Sequence, residues 1–264
     1  MPKYSIIIPT YNHLEDCLKP CVESILKYTT LNDFSTELII VANGCTDSTK
    51  EYVESLQRKF HGINLLWFDE ALGFTRATNE GIKTAKGEYI VLFNNDNILL
   101  DQPYNQWLNM LVSPFETHTK KVGITGPMKE KCPHANREFI LFFCAMISRE
   151  AINEIGLLDE IFSPGYGEDT DYSAKLEDKG FSVVQVPQED RKFYDTNRRT
   201  GLFPIYHAGN KTFANWPGGE ELLRKNNRIL EERYSNKSFR DKSYMKEAQA
   251  DFNREIDKQN KINR

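Results

Sequence analysis

The sequence predicts an α/β fold: a wound, mostly parallel sheet flanked by helices, with a helical C-terminal extension. Three observations carry this. Apolar runs of strand length alternate with segments of helical periodicity through the first hundred residues. One run, in GEYIVLFNNDN at 87–97, is continuous rather than alternating, as expected of a strand buried on both faces of a parallel sheet. From Glu220 onward Lys, Arg, Glu, Asp and Asn dominate, and apolar positions thin to a few such as Leu222, Leu223, Ile229 and Leu230. That pattern reads as one docked helix followed by solvated or partner-binding helix.

In chain order, residues 5–9 (SIIIP) form a β-branched run, and residues 14–28 place Leu14, Leu18, Val22, Ile25 and Leu26 at helical spacing. Residues 37–41 read as a second strand, 43–47 as a turn with helix-capping side chains, and 49–60 as a second helix. A third strand at 63–68 and a third helix at 74–85 lead to the strand at 88–93, which stops at Asn94, Asn95 and Asp96. Repeated βα units of this length imply right-handed crossovers between parallel strands. Beyond the triplet the rhythm changes. Residues 104–116 have helical character, 122–125 strand character, and 138–148 (EFILFFCAMIS) read as one unusually apolar strand. In 156–187 a loop containing Gly and Pro meets Glu168 and Asp169 at the start of an amphipathic helix that carries Tyr172 and Leu176 and ends at Gly180. Residues 188–203 are charged and short of aliphatic side chains, so a long exposed loop is expected; its Arg191, Lys192, Arg198 and Arg199 suit a mobile lid over anionic ligands. The chain thus divides into a domain over 1–216 and a charged helical extension over 217–264.

Two clusters stand at element ends where chemistry can be placed. Ligands of open α/β sheets sit beyond the carboxyl ends of the strands, so Asp96, flanked by two amides, stands where a metal-bound phosphate could be held. A polar turn closing a buried strand would look the same. Glu168 and Asp169 lie in a first helical turn, where the helix dipole favours negative charge; they would serve as ordinary caps or as carboxylates for proton transfer.

Bulk properties narrow the field. A net charge of −4 over 264 residues implies no basic surface, and nucleic acid is not an expected partner. The N-terminus lacks the features of a signal peptide, which points to a cytoplasmic protein. The longest apolar stretch, FILFFCAMI at 139–147, is too short to span a bilayer, so any membrane contact would be peripheral. Five cysteines without CxxC spacing suit free thiols. Cys132 and His134 lack a second ligand pair, and zinc is not expected there.

Six landmarks then occur in order: SIIIPTYN at 5–12, IIVANGCTDST at 39–49, GFTRATNEGIKTAKGEYIVLFNNDN at 73–97, GLLDE at 156–160, GEDTDYSAKLEDKGF at 167–181, and His207. Together they resemble the family 2 inverting glycosyltransferases with the GT-A fold, over about residues 3–215. The resemblance implies that Pro9, Thr10 and Tyr11 open the nucleotide pocket, with the Tyr11 ring available for a base to stack on. Asn43 stands where the family often has an Asp that accepts a bond from a pyrimidine N–H, and an amide oxygen can still accept one. Arg76 would pair with the diphosphate or stack on the base. Asn94, Asn95 and Asp96 correspond to the acidic DXD-type motif reduced to N-x-D, in which Asp96 would meet the divalent ion and Asn94 a ribose hydroxyl. His207 would supply a further ligand, and a mixed oxygen and imidazole set suits Mn²⁺ somewhat better than Mg²⁺. Of the pair Glu168 and Asp169, the Asp would be the catalytic base.

The expected activity is therefore transfer of a sugar from a nucleoside diphosphate donor, a UDP-sugar first and a dTDP-sugar second, to a hydroxyl of a glycan or similar acceptor. Acceptor contacts would come from 165–167, the 188–203 loop and Trp216, and a partner chain or neighbouring domain would meet the C-terminal helix. Two alternatives stay open: a sugar-phosphate nucleotidyltransferase, which would want a Gly-rich phosphate loop that PTYN does not supply, and a catalytically silent nucleotide-sugar-binding module, suggested by the amides at Asn43 and Asn94.

Overall fold

Strands β1 (Tyr4–Thr10) and β2 (Thr36–Asn43) are buried at every position, which is why both read as uninterrupted β-branched runs rather than alternating ones. In this computed structural model, which describes residues 2–31, 35–187, 202–209 and 218–234, they are adjacent strands of a seven-stranded sheet. Flanking them are β3 (Ile63–Phe68) and β4 (Tyr89–Phe93), all four parallel. The connections are helical: a π turn at Leu14–Leu18 running into α1 (Lys19–Tyr28), then α2 (Thr49–Gln57) and α3 (Phe74–Thr84).

The second half adds a three-residue strand β5 (Asn97–Leu99), α4 (Gln106–Thr117), β6 (Val122–Gly126), a ribbon of β7 (Lys129–Cys132) and β8 (Arg137–Ile140), and β9 (Cys144–Ser148). After these come α5 (Arg149–Ile155), α6 (Glu168–Asp178), β10 (Ser182–Gln185), β11 (Ile205–His207) and α7 (Gly219–Tyr234). The sheet order is β10-β6-β9-β4-β1-β2-β3. β9 runs antiparallel to both its neighbours, so the sheet is mostly but not wholly parallel.

Alternation through β1 divides the core. Ile6 and Ile8 pack with Val22, Ile25, Leu38, Val91 and Trp107 on one face, whereas Ile7 packs with Ile39, Ala77, Ile82, Leu92 and Ile147 on the other. Helix α3 lies so close to the second face that a Cβ on Gly81 would stand 2.3 Å from Ile7 Cγ2. Gly81→Ala is therefore expected to lower stability by about 1–3 kcal/mol through overpacking, read as a reduced midpoint in chemical denaturation. An unchanged midpoint would show that α3 can move away from the sheet without loss.

Three expectations need correction. Residues 138–148 are two strands rather than one: β8 pairs with β7 while β9 joins the main sheet, and residues 141–143 carry the chain between the two. The nine-residue apolar run at 139–147 carries no period that marks such a change of sheet. The expected helix at 49–60 ends at Gln57. Leu223, grouped with the docking positions of the C-terminal helix, is 43% exposed, while Leu222, Ile229 and Leu230 are buried.

Helix α7 rests its Ile229 and Leu230 on Ile161 and Phe162. Of the expected exposed loop, residues 188–201 lie outside the described residues; Leu202 is exposed and Phe203 buried. Trp216 and residues 235–264 also lie outside. Among the described residues no helix is long and apolar enough to cross a membrane. All five cysteines are free, as their spacing suggested, and all five are buried.

Candidate active site

A cavity of about 420 Å³ opens at the sheet edge where β1, β2 and β4 end. Its size suits a small-molecule ligand. Its wall includes Pro9, Thr10, Tyr11, Asn43, Asn94, Asn95, Asp96, Glu168, Asp169 and His207, so every expected site residue except Arg76 comes to one place. Arg76, on α3, instead forms a partly exposed ion pair with Glu160 at 3.3 Å, outside the cavity wall.

On the β1 side the loops are tied together by amides. Asn95 Nδ2 donates to Thr10 Oγ1 at 2.9 Å. Asn43, at 3% exposure, is more fully engaged: its Oδ1 accepts from the backbone N–H groups of Leu72 (3.0 Å) and Gly73 (3.2 Å), and its Nδ2 donates to the Thr10 carbonyl (2.8 Å). This corrects the expectation that its oxygen is free to meet a base, because both lone pairs are taken. The bonds fix Gly73, whose φ of +77° and 2.6 Å approach of a would-be Cβ to Pro164 Cβ leave no room for a side chain. A carboxylate could accept the two N–H bonds but not donate to Thr10. Asn43→Asp is thus expected to cost about 1–3 kcal/mol at neutral pH, with the deficit shrinking in acid as the new carboxyl keeps its proton. Thermal unfolding across pH checks this; equal stability of both proteins at pH 7 would remove the stapling role. Asp47, read as a cap, accepts from Thr49 N (3.2 Å) and Leu14 N (3.0 Å), joining the loops after β2 and β1.

Opposite this wall, β11 pairs antiparallel with β5 and sets His207 against Asn97, one residue past Asp96. His207 Nε2 lies 3.3 Å from Asp96 Oδ1. Its ring is stacked on Phe143 at 4.4 Å with the planes 8° apart, which fixes its orientation. Neither of these two atoms, nor Asn94 Oδ1, has a hydrogen-bond partner among the described residues although all three are buried. Buried polar atoms rarely stay unpaired, so their convergence on a cavity marks a ligand position. One carboxylate and one imidazole that near to each other fit a shared divalent cation, with ligand distances of about 2.0–2.6 Å. The remaining ligands would have to come from a bound phosphate or water.

The acidic pair stands at the start of α6. Glu168 is buried, its Oε2 has no partner among the described residues, and burial together with the adjacent Asp169 charge holds its carboxyl well above the usual range. Asp169 is partly exposed at the cavity; its Oδ1 accepts from Thr170 N at 2.7 Å. Desolvation outweighs that bond and pushes its carboxyl up to about 7. A carboxyl poised there can exchange a proton near neutral pH.

Sequence reasoning missed the apolar part of the wall: Phe74, Leu141, Phe142 and Phe143. For the last three the signal lies in the aromatic run at 139–147, whose character equally fits a strand interior. Gly165, expected to touch an acceptor, lines the cavity, and Tyr166 joins it.

A model for the family described as Glycosyl transferase family 2 matches residues 5–155. The chain belongs to that family. Among its relatives, the glycosyltransferase GlyG of Streptococcus pneumoniae serotype 4 is 36% identical over 95 residues, covering 36% of this chain and 30% of GlyG. The poly(ribitol-phosphate) beta-glucosyltransferase of Bacillus spizizenii is 31% identical over 108 residues, covering 40% of this chain and 17% of that protein. The matched region thus spans less than a third of either relative. Among solved structures, the mannosyltransferase PcManGT of Pyrobaculum calidifontis, in complex with GDP-Man and Mn2+, aligns with a TM-score of 0.57 at 20% identity, over 71% of this chain and 55% of that one. S. aureus TarS 1-349 aligns with a TM-score of 0.54 at 17% identity, over 70% and 58%. These likenesses show the fold of this family 2 member, the GT-A arrangement of a largely parallel sheet flanked by helices.

Proposed function

We propose that this family 2 protein is an inverting glycosyltransferase that moves a sugar from a nucleoside diphosphate donor to a hydroxyl of a glycan or similar acceptor. The observation that carries the reading is the shared cavity: Asp96 and His207 on one wall, and a carboxyl poised near neutrality on the other. Thr10, Tyr11 and Asn94 would hold the nucleoside, Tyr11 by stacking and Asn94 through its unpaired oxygen. Asp96 and His207 would hold a divalent cation, Mn²⁺ ahead of Mg²⁺, which when bound neutralises the diphosphate and eases its departure. Asp169 would accept the acceptor's proton late, as the hydroxyl attacks the anomeric carbon from the face opposite the leaving group, and would orient that oxygen for in-line attack. Glu168, buried beside it with its carboxyl held well above the usual range by burial and the Asp169 charge, would stand next to the base at the start of the same helix.

A UDP-sugar is the first choice of donor and a dTDP-sugar the second; TarS has been solved with UDP, and PcManGT with GDP-Man. A panel of UDP-glucose, UDP-N-acetylglucosamine, dTDP-glucose and GDP-mannose with Mn²⁺, scored for release of nucleoside diphosphate, tests the reading. Release from one donor that stops on chelation supports it. Metal-dependent binding without release from any donor, across a range of hydroxyl acceptors, would favour a silent binding module.

A further inference from the structure

We propose that helix α7 is a positioning device for the acidic pair, in which Asn226, Arg233 and Tyr234 hold the 165–171 segment so that Asp169 faces the cavity in a fixed register. The inference rests on the reading of Asp169 as the base. Asn226 is 2% exposed, and its Nδ2 donates to two consecutive carbonyls, Gly165 (2.9 Å) and Tyr166 (2.8 Å). Tyr166 has φ +71°, a conformation a residue with a side chain holds only when its surroundings enforce it. On the far side of the pair, Asp171 is 1% exposed and is gripped by Arg233, by Lys175 at 2.7 Å and by the Tyr234 hydroxyl at 2.9 Å. The single Tyr234 hydroxyl hydrogen is shared with the Asp171 carbonyl, 3.1 Å away, and Arg233 reaches Asp159 at 3.1 Å.

The contacts therefore bracket Glu168 and Asp169 from both sides. Docking alone does not require them, because Ile229 and Leu230 already bury against Ile161 and Phe162. Buried ion pairs add little net stability over apolar packing, whereas they fix geometry. Fixed geometry is what a base needs: displacement by about 1 Å can cost on the order of a hundredfold in rate. All three residues lie beyond the region matched by the family model, as do Glu168, Asp169 and His207.

The test uses the whole chain. Asn226→Asp keeps the shape but removes both donated hydrogens; Arg233→Met removes the charge, and Arg233→Lys restores it. Turnover is read as UDP release from UDP-glucose with Mn²⁺, or from the donor that the panel identifies, and ligand affinity by calorimetry with UDP and Mn²⁺. The expected result is a kcat at least tenfold lower for Asn226→Asp and Arg233→Met, with UDP affinity within twofold of the parent and partial recovery in Arg233→Lys. Should Asn226→Asp fail to fold, the Arg233 pair carries the same comparison. Parental kcat in folded variants, or a loss that only follows UDP affinity, would overturn the proposal. Asp169→Asn, assayed alongside, separates the two failures: if it is inactive while the α7 variants are normal, only the positioning role falls, and if it is fully active, both readings fall.

Discussion

Asp169→Asn is expected to abolish sugar transfer while leaving the affinity for UDP and Mn²⁺ close to that of the parent. The substitution keeps the acceptor of the Thr170 N–H bond and removes only the proton-accepting oxygen, so a loss on the order of a hundredfold or more is expected in kcat. The parent's kcat/KM should rise with pH through about 7, where the carboxyl loses its proton. A stability signature accompanies this. The folded-state value lies above the unfolded value of 3.8, so between about 4 and 7 the native state binds more protons and its stability falls as pH rises. A neutral amide at this position would carry no such cost. The variant should match the parent near pH 4 and exceed it at pH 8 by about 1–2 kcal/mol, a figure reduced for the solvent that reaches this partly exposed group. Such a gain at the expense of activity is common at functional carboxylates. Near-normal turnover in the variant would remove the base assignment and turn attention to Glu168.

The second large effect concerns the opposite wall. Asp96→Ala and His207→Ala should each weaken Mn²⁺-dependent binding of UDP by tenfold or more, because each removes one of the two side chains, among the described residues, proposed to share the cation. Calorimetry with UDP, with and without Mn²⁺, gives the answer independently of turnover. The parent should lose most of its affinity on chelation, and the two variants should respond far less. Equal, metal-independent binding in all three proteins would sink the metal reading and leave the orphaned atoms of Asn94, Asp96 and His207 to be satisfied by the ligand alone.

Strands β1, β2 and β4 were legible because burial on both faces writes a strongly apolar run that ends in polar turn residues, whereas the edge strand β3, only partly buried, was legible from its apolar content between two helical segments. The triplet at 94–96 was legible for the same reason: a buried strand can only place polar side chains where it ends. Other features had no local signature. The reversal of β9 depends on pairing with β4 and β6, and an apolar run reads the same in either direction. Arg76 was placed on the correct helix, but the partner that claims it, Glu160, lies 84 residues away in sequence. Asn226 and Arg233 look like any other polar residues in a charged segment until the carbonyls and carboxylates they meet are seen. Asn43 shows a different limit. Its residue type fitted an acceptor of hydrogen bonds, and it is one, but for backbone N–H groups of its own chain.

The reversed strand also bears on any attempt to alter substrate choice. In a wholly parallel sheet, the loops to diversify are those that follow strands, and those that precede them belong to the opposite rim. Here β9 begins at the cavity, and 141–143, which lead into it, supply Phe142 and the Phe143 ring under His207. A library confined to the segments after β1, β2 and β4 would leave that stretch untouched. Conversely, insertions at the β9–α5 junction fall on the far rim, where Arg149 binds the Ala85 and Gly87 carbonyls, and would change the scaffold rather than its specificity.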